Sequence, residues 1–507
     1  MEREFENSYR KLLVLSRKTS LLRSIEAHLA WDQETYLPSA SIDLRSEQLT
    51  LLADITHNYA ISAQFKKNLA NLIDLTSGLF RSSNCTKEEA ANLREWRRDY
   101  LKAVNLPGAF VRKFATTTSQ ALHAWQEAKK SNQFALFLPH LERIIQLNRK
   151  KAKLLGFHEH PYDALLDLYE PEMTVAQLTP LFTQLKISLK QLVKELQSQP
   201  LPPSDFLFLS YAPDQQMRIF HALLEQMGFT SDRSRLDIST HPFCTGTPFD
   251  LRMTTSMHRE NFMANFFAVL HEGGHGLYCL GRPLAHFGEP LSESASLGVE
   301  ESQSRFWETI IGHSLPFWRN FYPKLQKEFP EQLGNVTLSS FYRAIHQVRP
   351  SYIRIHADEV TYTLHILVRF EIEKAFIEGT LSAKELPEAW NAAMEEYLGI
   401  TPRKDCEGCL QDIHWAMGAM GYFPTYTLGN LYAAQLFETM QNSFPDWEER
   451  LNTGDLSFLC QWLKGEIHQY GRCYSPQELM RKTTGQQLSA LPYLRYLEEK
   501  YRGLNRE

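Results

Sequence analysis

Residues 266–280, FFAVLHEGGHGLYCL, constrain the fold more than any other stretch of this chain. His271 and His275 are four positions apart, so a helix sets both imidazoles on one face, a turn from each other. Such a pair can converge on a single cation, while Glu272, rotated off that face, is placed to touch water at the metal instead of the metal itself. The plainer reading of the same spacing is two hydrogen-bonded core histidines. Two features favour the metal. The preceding run FMANFFAVL is apolar enough to bury the helix in the body of the fold. Gly273 and Gly274 are poor helix formers, costing about 1 kcal/mol each relative to Ala. Glycines beside the histidines point to space or close backbone packing that ordinary core packing does not require.

Hydrolytic zinc chemistry needs a third protein ligand and one open position. The segment LSESASLGVEESQSRFWETI offers Glu293, Glu300, Glu301 and Glu308, with Glu301 on a shared helical face with Arg305 and Glu308. Spacing alone does not choose among these carboxylates.

Around this centre the chain reads as helix. SRKTSLLRSIEAHLAWD repeats apolar residues at three- and four-residue spacings and stops near Pro38; FALFLPHLERIIQLNRKKAKLLG carries Leu141, Ile144 and Ala152 on one stripe and stops at Gly156. Near residues 235–260 the texture changes to LDISTHPFCTGTPFDLRMTTS, whose β-branched and turn-forming residues predict short strands. Later helices are predicted in ESQSRFWETIIGHSL, ADEVTYTLHILVRFEIEKAFIEG and LYAAQLFETMQNSF. The expected architecture is mainly α: a large helical single fold with a deep central cleft and a small β-sheet near the active site. Within it, 1–235 forms an N-terminal helical part and 236–507 carries the metal and substrate motifs.

Composition narrows the function classes. With 59 acidic against 54 basic side chains and a formal charge of -5, the chain has no basic field for nucleic acid. No run of 18 uncharged apolar residues predicts a membrane span. The charged start MEREFENSYRKLLVLSRKTS lacks the apolar centre of a secretion signal, so a cytoplasmic location is expected. Seven scattered cysteines do not resemble a disulfide framework, and Cys406 with Cys409 is read as local packing.

Ordered blocks along the chain carry a resemblance: LAWDQETYLP, HPF at 241–243, DLRMTT at 250–255, HEGGHGLY at 271–278, ESQSR at 301–305, IRIHADEVTY at 353–362, GCLQDIHWAMGAMGYFPTYTLG at 408–429, and LRYLEEKY near the end. Together they resemble the metallocarboxypeptidases of peptidase family M32, the thermostable carboxypeptidase family, over nearly the whole length. The resemblance implies Glu301 as the third metal ligand. One departure is visible: the family usually has His immediately before that Glu, and this chain has Glu300.

It further implies one divalent metal per chain, zinc before cobalt or manganese, a homodimer, and peptide substrates with a free C-terminus. The implied reaction is release of single C-terminal amino acids with broad specificity, disfavouring proline at the penultimate or terminal position. In that chemistry Glu272 is the base, and His414, Tyr422 and Tyr426 are the available groups of the active-site wall. Arginine suits a terminal carboxylate because its planar fork makes two parallel bonds; Arg354 and Arg252 are the candidates. A helix beginning by residue 354 would put Asp358 and His365 close to the face of Arg354. His241, Asp250 and Arg252 are expected on the substrate side of the cleft. Asp412 is expected either to accept a bond from a metal-bound imidazole or to satisfy a loop. The alternatives are a dipeptidyl carboxypeptidase or oligo-endopeptidase with the same metal core, and a non-catalytic helical scaffold around a structural metal.

Overall fold

The computed structural model describes residues 2–82 and 84–504 and is mainly helical, with one three-stranded sheet. Local chemistry sets the helix boundaries. Thr86 and Glu89 exchange the two bonds of a capping box at the head of Lys87–Asn105, and Thr174 with Gln177 does the same for Val175–Gln197. At the opposite ends, Gly156 and Gly379 stop Phe134–Leu155 and Glu359–Glu378 at φ of 87° and 96°, which strains any residue with a Cβ.

Two apolar cores result. The first helix, Glu2–Thr35, with Ala63–Ala70 and Lys87–Asn105, encloses a small one around Leu12, Leu69, Leu93 and Trp96. A much larger core draws on residues from Ala121 to Tyr501. The first helix is also tied to the sheet: Tyr36 donates its hydroxyl to Asp237 at 2.6 Å, and the Arg252 guanidinium lies 4.7 Å from the Trp31 ring centroid.

The sheet has the order β1-β3-β2, with β1 Ser234–Ile238, β2 Phe243–Gly246 and β3 Leu251–Thr255. Central β3 runs parallel to β1, pairing Leu251 with Ser234, and antiparallel to β2, pairing Thr254 with Phe243. Its buried Leu251 and Met253 face the core, and the sheet packs on the HEGGH helix, Phe262–Gly281.

Three further helices complete the centre. Leu297–Arg305 lies between the HEGGH helix and Pro424–Ser443, and Glu359–Glu378 packs alongside Pro424–Ser443. Glycine permits this stacking. A Cβ on Gly274 would stand 2.5 Å from the Gln303 carbonyl oxygen, and one on Gly429 would stand 2.5 Å from Glu301 Cγ. The expected helix through ESQSRFWETIIGHSL is divided: α-helical to Arg305, it widens into a π-turn over Phe306–Ile311. The helix read from LYAAQLFETMQNSF begins earlier, at Pro424, whose fixed φ and missing N–H suit a first turn. Among the described residues no helix is long and apolar enough to cross a membrane.

Candidate metal centre

His271 and His275 stand one turn apart on the HEGGH helix, ring centroids 4.9 Å from each other. The Leu297–Arg305 helix brings Glu301 to them. Its Oε2 lies 4.0 Å from His271 Nε2 and 3.8 Å from His275 Nε2, and one ligand atom from each residue falls within 4.8 Å of the others. These separations are too long for hydrogen bonds. They approach the roughly 3.4 Å that ligand atoms keep around a tetrahedral ion with bonds of about 2.1 Å. Two imidazoles and a carboxylate on three-helix backing therefore fit a divalent cation.

The other carboxylates divide by position. Glu308 Oε2 sits 2.8 Å from His271 Nδ1 and accepts from Arg305 Nη1 at 2.9 Å. That contact assigns the proton to Nδ1 and leaves Nε2 for the ion. Burial pushes the Glu308 carboxyl up, but Arg305 and the bond from His271 outweigh it and hold it at about 2. Glu293 lies 3.8 Å from Arg282, and Glu300 lines a neighbouring cavity.

Burial pulls both imidazoles toward the neutral form. At His271 the surrounding Glu301, Glu308 and Glu272 more than offset this and raise it to about 9; at His275 burial and the charge of His271 bring it to about 4. The acidic groups thus favour positive charge at this point. Glu272 is buried beside them, and burial, helped by Glu301 and Glu308 against the pull of His271, pushes it up to about 7. A carboxyl there can accept and return a proton near neutrality.

Arg354 belongs to a second, connected network. Its Nε and Nη2 meet Asp412 Oδ1 at 3.0 and 2.9 Å, and Nη1 donates to the Tyr362 hydroxyl at 3.0 Å. The other Asp412 oxygen accepts from Arg369 Nε at 2.7 Å. Gln411 Oε1 accepts from the Arg354 backbone N–H and from Arg369 Nη2, both at 2.8 Å. Tyr362 carries the link onward, because the Arg305 guanidinium lies 4.9 Å from its ring centroid. Contacts therefore run from His271 through Glu308, Arg305 and Tyr362 to Arg354.

This arrangement corrects the expected helix start and removes one of the two alternatives for Asp412. The helix does not begin by residue 354: Arg354 sits in the short 3₁₀ turn Arg354–His356, and the helix starts at Glu359. Asp358 is its N-cap, accepting from the Val360 and Thr361 N–H groups at 3.0 and 2.9 Å, where helix donors lack partners. It does not orient Arg354, and His365 is buried inside that helix. Asp412 bonds to two arginines and to neither metal-site imidazole. Burial raises its carboxyl, but Arg369 and Arg354 hold it well below the usual carboxylate range.

His414, Tyr422 and Tyr426 gather in one cluster. His414 Nε2 lies 3.3 Å from the Tyr426 hydroxyl, and the Tyr422 and Tyr426 centroids are 5.4 Å apart. Burial, then the Glu301 charge, pushes Tyr422 up to about 12; burial and the neighbouring tyrosines take Tyr426 well above its ordinary value. Both are neutral donors within the field of Glu301. The Arg354 guanidinium lies 5.1 Å from the Tyr426 centroid.

The remaining substrate-side residues lie elsewhere. Arg252 donates to Asp250 at 2.7 and 3.0 Å, and Asp250 also meets His28 Nε2 at 2.9 Å, at the seam with the first helix. His241 is exposed between β1 and β2, where its carbonyl accepts from Ser239 Oγ. No hydrogen bond or ion pair among the described residues joins this trio to the triad. Sequence reading missed Arg369, Tyr362 and Gly429 as site-building residues. The sole sequence trace of Gly429 is a glycine inside a helical run.

Beside His275 a cavity of about 520 Å³ opens, lined by β2, Leu251 of β3, the C-terminal end of the HEGGH helix, the Lys87–Asn105 helix and the head of Leu297–Arg305.

Comparison with known proteins places this geometry. The family profile of the carboxypeptidase Taq (M32) metallopeptidases matches residues 11–501. The chain is 40% identical to thermostable carboxypeptidase 1 of Thermus thermophilus, covering 98% of this chain and 99% of that one. It is 36% identical to carboxypeptidase 1 of Bacillus subtilis, covering 99% and 98%. The solved M32 carboxypeptidase of Deinococcus radiodurans superposes with a TM-score of 0.95 at 35% identity, over 99% of this chain and 100% of that one. With a buried triad of metal-ligand type inside this helical body, the chain belongs to the carboxypeptidase Taq (M32) family and is a metallocarboxypeptidase.

Proposed function

We propose that the protein releases single amino acids from the free C-terminus of peptides, with broad specificity, using zinc held by His271, His275 and Glu301. Cobalt and manganese are the alternative ions for such N and O donors. The observation that carries the reading is the buried Arg354, held by Asp412 and linked through Tyr362 and Arg305 to the triad. A cation bound at the triad supplies Lewis acidity, acidifying a water and polarising the scissile carbonyl. Glu272 takes a proton from the attacking water and hands it to the departing amine. Arg354 receives the terminal carboxylate, its plane fixed by Asp412, through charge-assisted bonds. Tyr422 and Tyr426 are neutral donors suited to the oxygen that gains charge, and His414 positions Tyr426.

Three protein ligands support a hydrolytic site over a structural one, which ordinarily takes four. We assign His241, Asp250 and Arg252 to the outer rim of the substrate cleft, since neighbouring Leu251 and Thr245 line the cavity. We treat the chain as one catalytic domain because the larger core draws on both sides of residue 235. A homodimer in the cytoplasm completes the proposal; seven free thiols suit a reducing compartment.

The test is product identification by mass after zinc loading, with a blocked dipeptide and a blocked tetrapeptide. Stepwise loss of one residue is expected. Loss of two at a time replaces the reading with a dipeptidyl carboxypeptidase, and no turnover with zinc or cobalt leaves a non-catalytic scaffold.

A further inference from the structure

The cavity beside His275 is walled by charge, and its ion pairs can be traced one by one. Asp167 is held by Arg98 and Lys102 at 2.7 and 2.8 Å, and Asp99 by Arg472 at 2.9 Å. Glu95 accepts from Arg94 at 2.9 Å, while Glu293 lies 3.8 Å from Arg282. Arg282 is further engaged by the Cys279 sulfur, 2.9 Å from its Nη2. Glu300 is different. It lines the same cavity, yet among the described residues its carboxylate has neither an ion pair nor a side-chain hydrogen bond. Its backbone N–H merely continues the helix, donating to Ser296 O at 3.0 Å.

The position of Glu300 gives that unpaired charge a meaning. It directly precedes Glu301, and His275 lines the cavity too, so the cavity reaches one ligand of the triad. Arg354, Tyr362, Tyr422 and Tyr426 do not line it. If the terminal carboxylate rests on Arg354, as the proposed function has it, the chain on the amino side of the cleaved bond leaves through this cavity and passes Glu300.

We propose that Glu300 forms a cation-accepting subsite for the amino side of the substrate, taking an ammonium or guanidinium group. Arg282, on the same cavity wall, already feels the Glu300 charge without pairing with it, and a substrate cation that reaches the free carboxylate gains an attraction that a neutral or acidic group does not. Two sources offer such a group: the free α-amino group of a dipeptide, or a Lys or Arg side chain ahead of the released residue.

The experiment compares the zinc-loaded protein with its Glu300→Gln and Glu300→His variants, the latter carrying the residue usual in the family. Substrates are Ala-Phe, N-acetyl-Ala-Phe and N-acetyl-Lys-Phe. The unaltered protein is expected to favour at least one cationic peptide over N-acetyl-Ala-Phe by about five- to tenfold in kcat/KM, the worth of one partly screened ion pair. Both variants are expected to lose that preference. Preference for Ala-Phe alone identifies the α-amino group as the source, and for N-acetyl-Lys-Phe alone the side chain. Kd values for the same peptides, measured by calorimetry in a Glu272→Gln background with and without Glu300→Gln, should show the same ratio without turnover. Ratios that stay the same when Glu300 is replaced overturn the subsite. Absence of turnover by the unaltered protein speaks against the proposed reaction, and the binding ratios then still decide the subsite.

Discussion

The two sides of the triad are built differently. On the His271 side, Glu308, Arg305, Arg354, Asp412 and Arg369 are buried or nearly so, and each has its opposite charge within 3 Å. On the His275 side the wall opens into a cavity of about 520 Å³, where Glu293 stands 3.8 Å from Arg282 and, among the described residues, Glu300 has no ion pair. Buried pairs add little net stability, yet removing one partner costs about 3–5 kcal/mol because the other charge is stranded. Such a network tolerates few arrangements, which suits a substrate feature that never varies, the terminal carboxylate. The open side suits the part of a peptide that differs from one substrate to the next.

Substitutions can break or sharpen this contrast. The largest effect is expected at the shared centre: Glu272→Gln should lower kcat by about 10²–10⁴-fold with zinc content unchanged, because it removes a base and no ligand. Normal turnover by that variant would rule out the proton route. On the closed side, Arg354→Ala should reduce kcat/KM by about 10²-fold for peptides ending in a free carboxylate. Amidated peptides serve as the control, and an equal loss for both would remove Arg354 from carboxylate binding.

Gly274→Ala attacks the backbone that both sides share. Its new Cβ would meet the Gln303 carbonyl oxygen and Ser304 Cα at 2.5 and 2.6 Å, main-chain atoms that cannot swing aside. A loss of about 1–3 kcal/mol is expected from this overpacking, read by chemical denaturation of the metal-free protein. Unchanged stability would show that the two helices can part freely. Last, Glu308→Gln should weaken zinc affinity by about 10–100-fold through the orientation of His271. Competition with a chelator measures it, and an unaltered affinity would leave Glu308 with no part in holding that ring.

The HEGGH helix, the small sheet and the stop at Gly156 were legible because each depends on neighbours in sequence. Glu301 was not selectable by spacing among Glu293, Glu300, Glu301 and Glu308, since the choice depends on where two helices touch. Gly274 carried half of that information, and its partner Gly429 lies 128 residues beyond Glu301, out of reach of any periodicity. The start of the helix at Glu359 had a local signal. Asp358 followed by Glu359 is an ordinary N-cap and acidic first turn, a signal that a helix beginning by residue 354 passes over. The true partner, Asp412, stands 58 positions away in a loop, so this pairing exists only in three dimensions.

The widened turn at Phe306–Ile311 has a consequence for how such a helix can change. It lets one segment aim Glu301, Arg305 and Glu308 at polar neighbours while burying Phe306, Trp307, Ile310 and Ile311 in the interior. Deleting a single residue from it would swing everything beyond by about 100° around the axis. The imidazole at 271 would lose its carboxylate and the interior its isoleucines in one step. Phase, more than residue identity, is what this short piece of chain preserves.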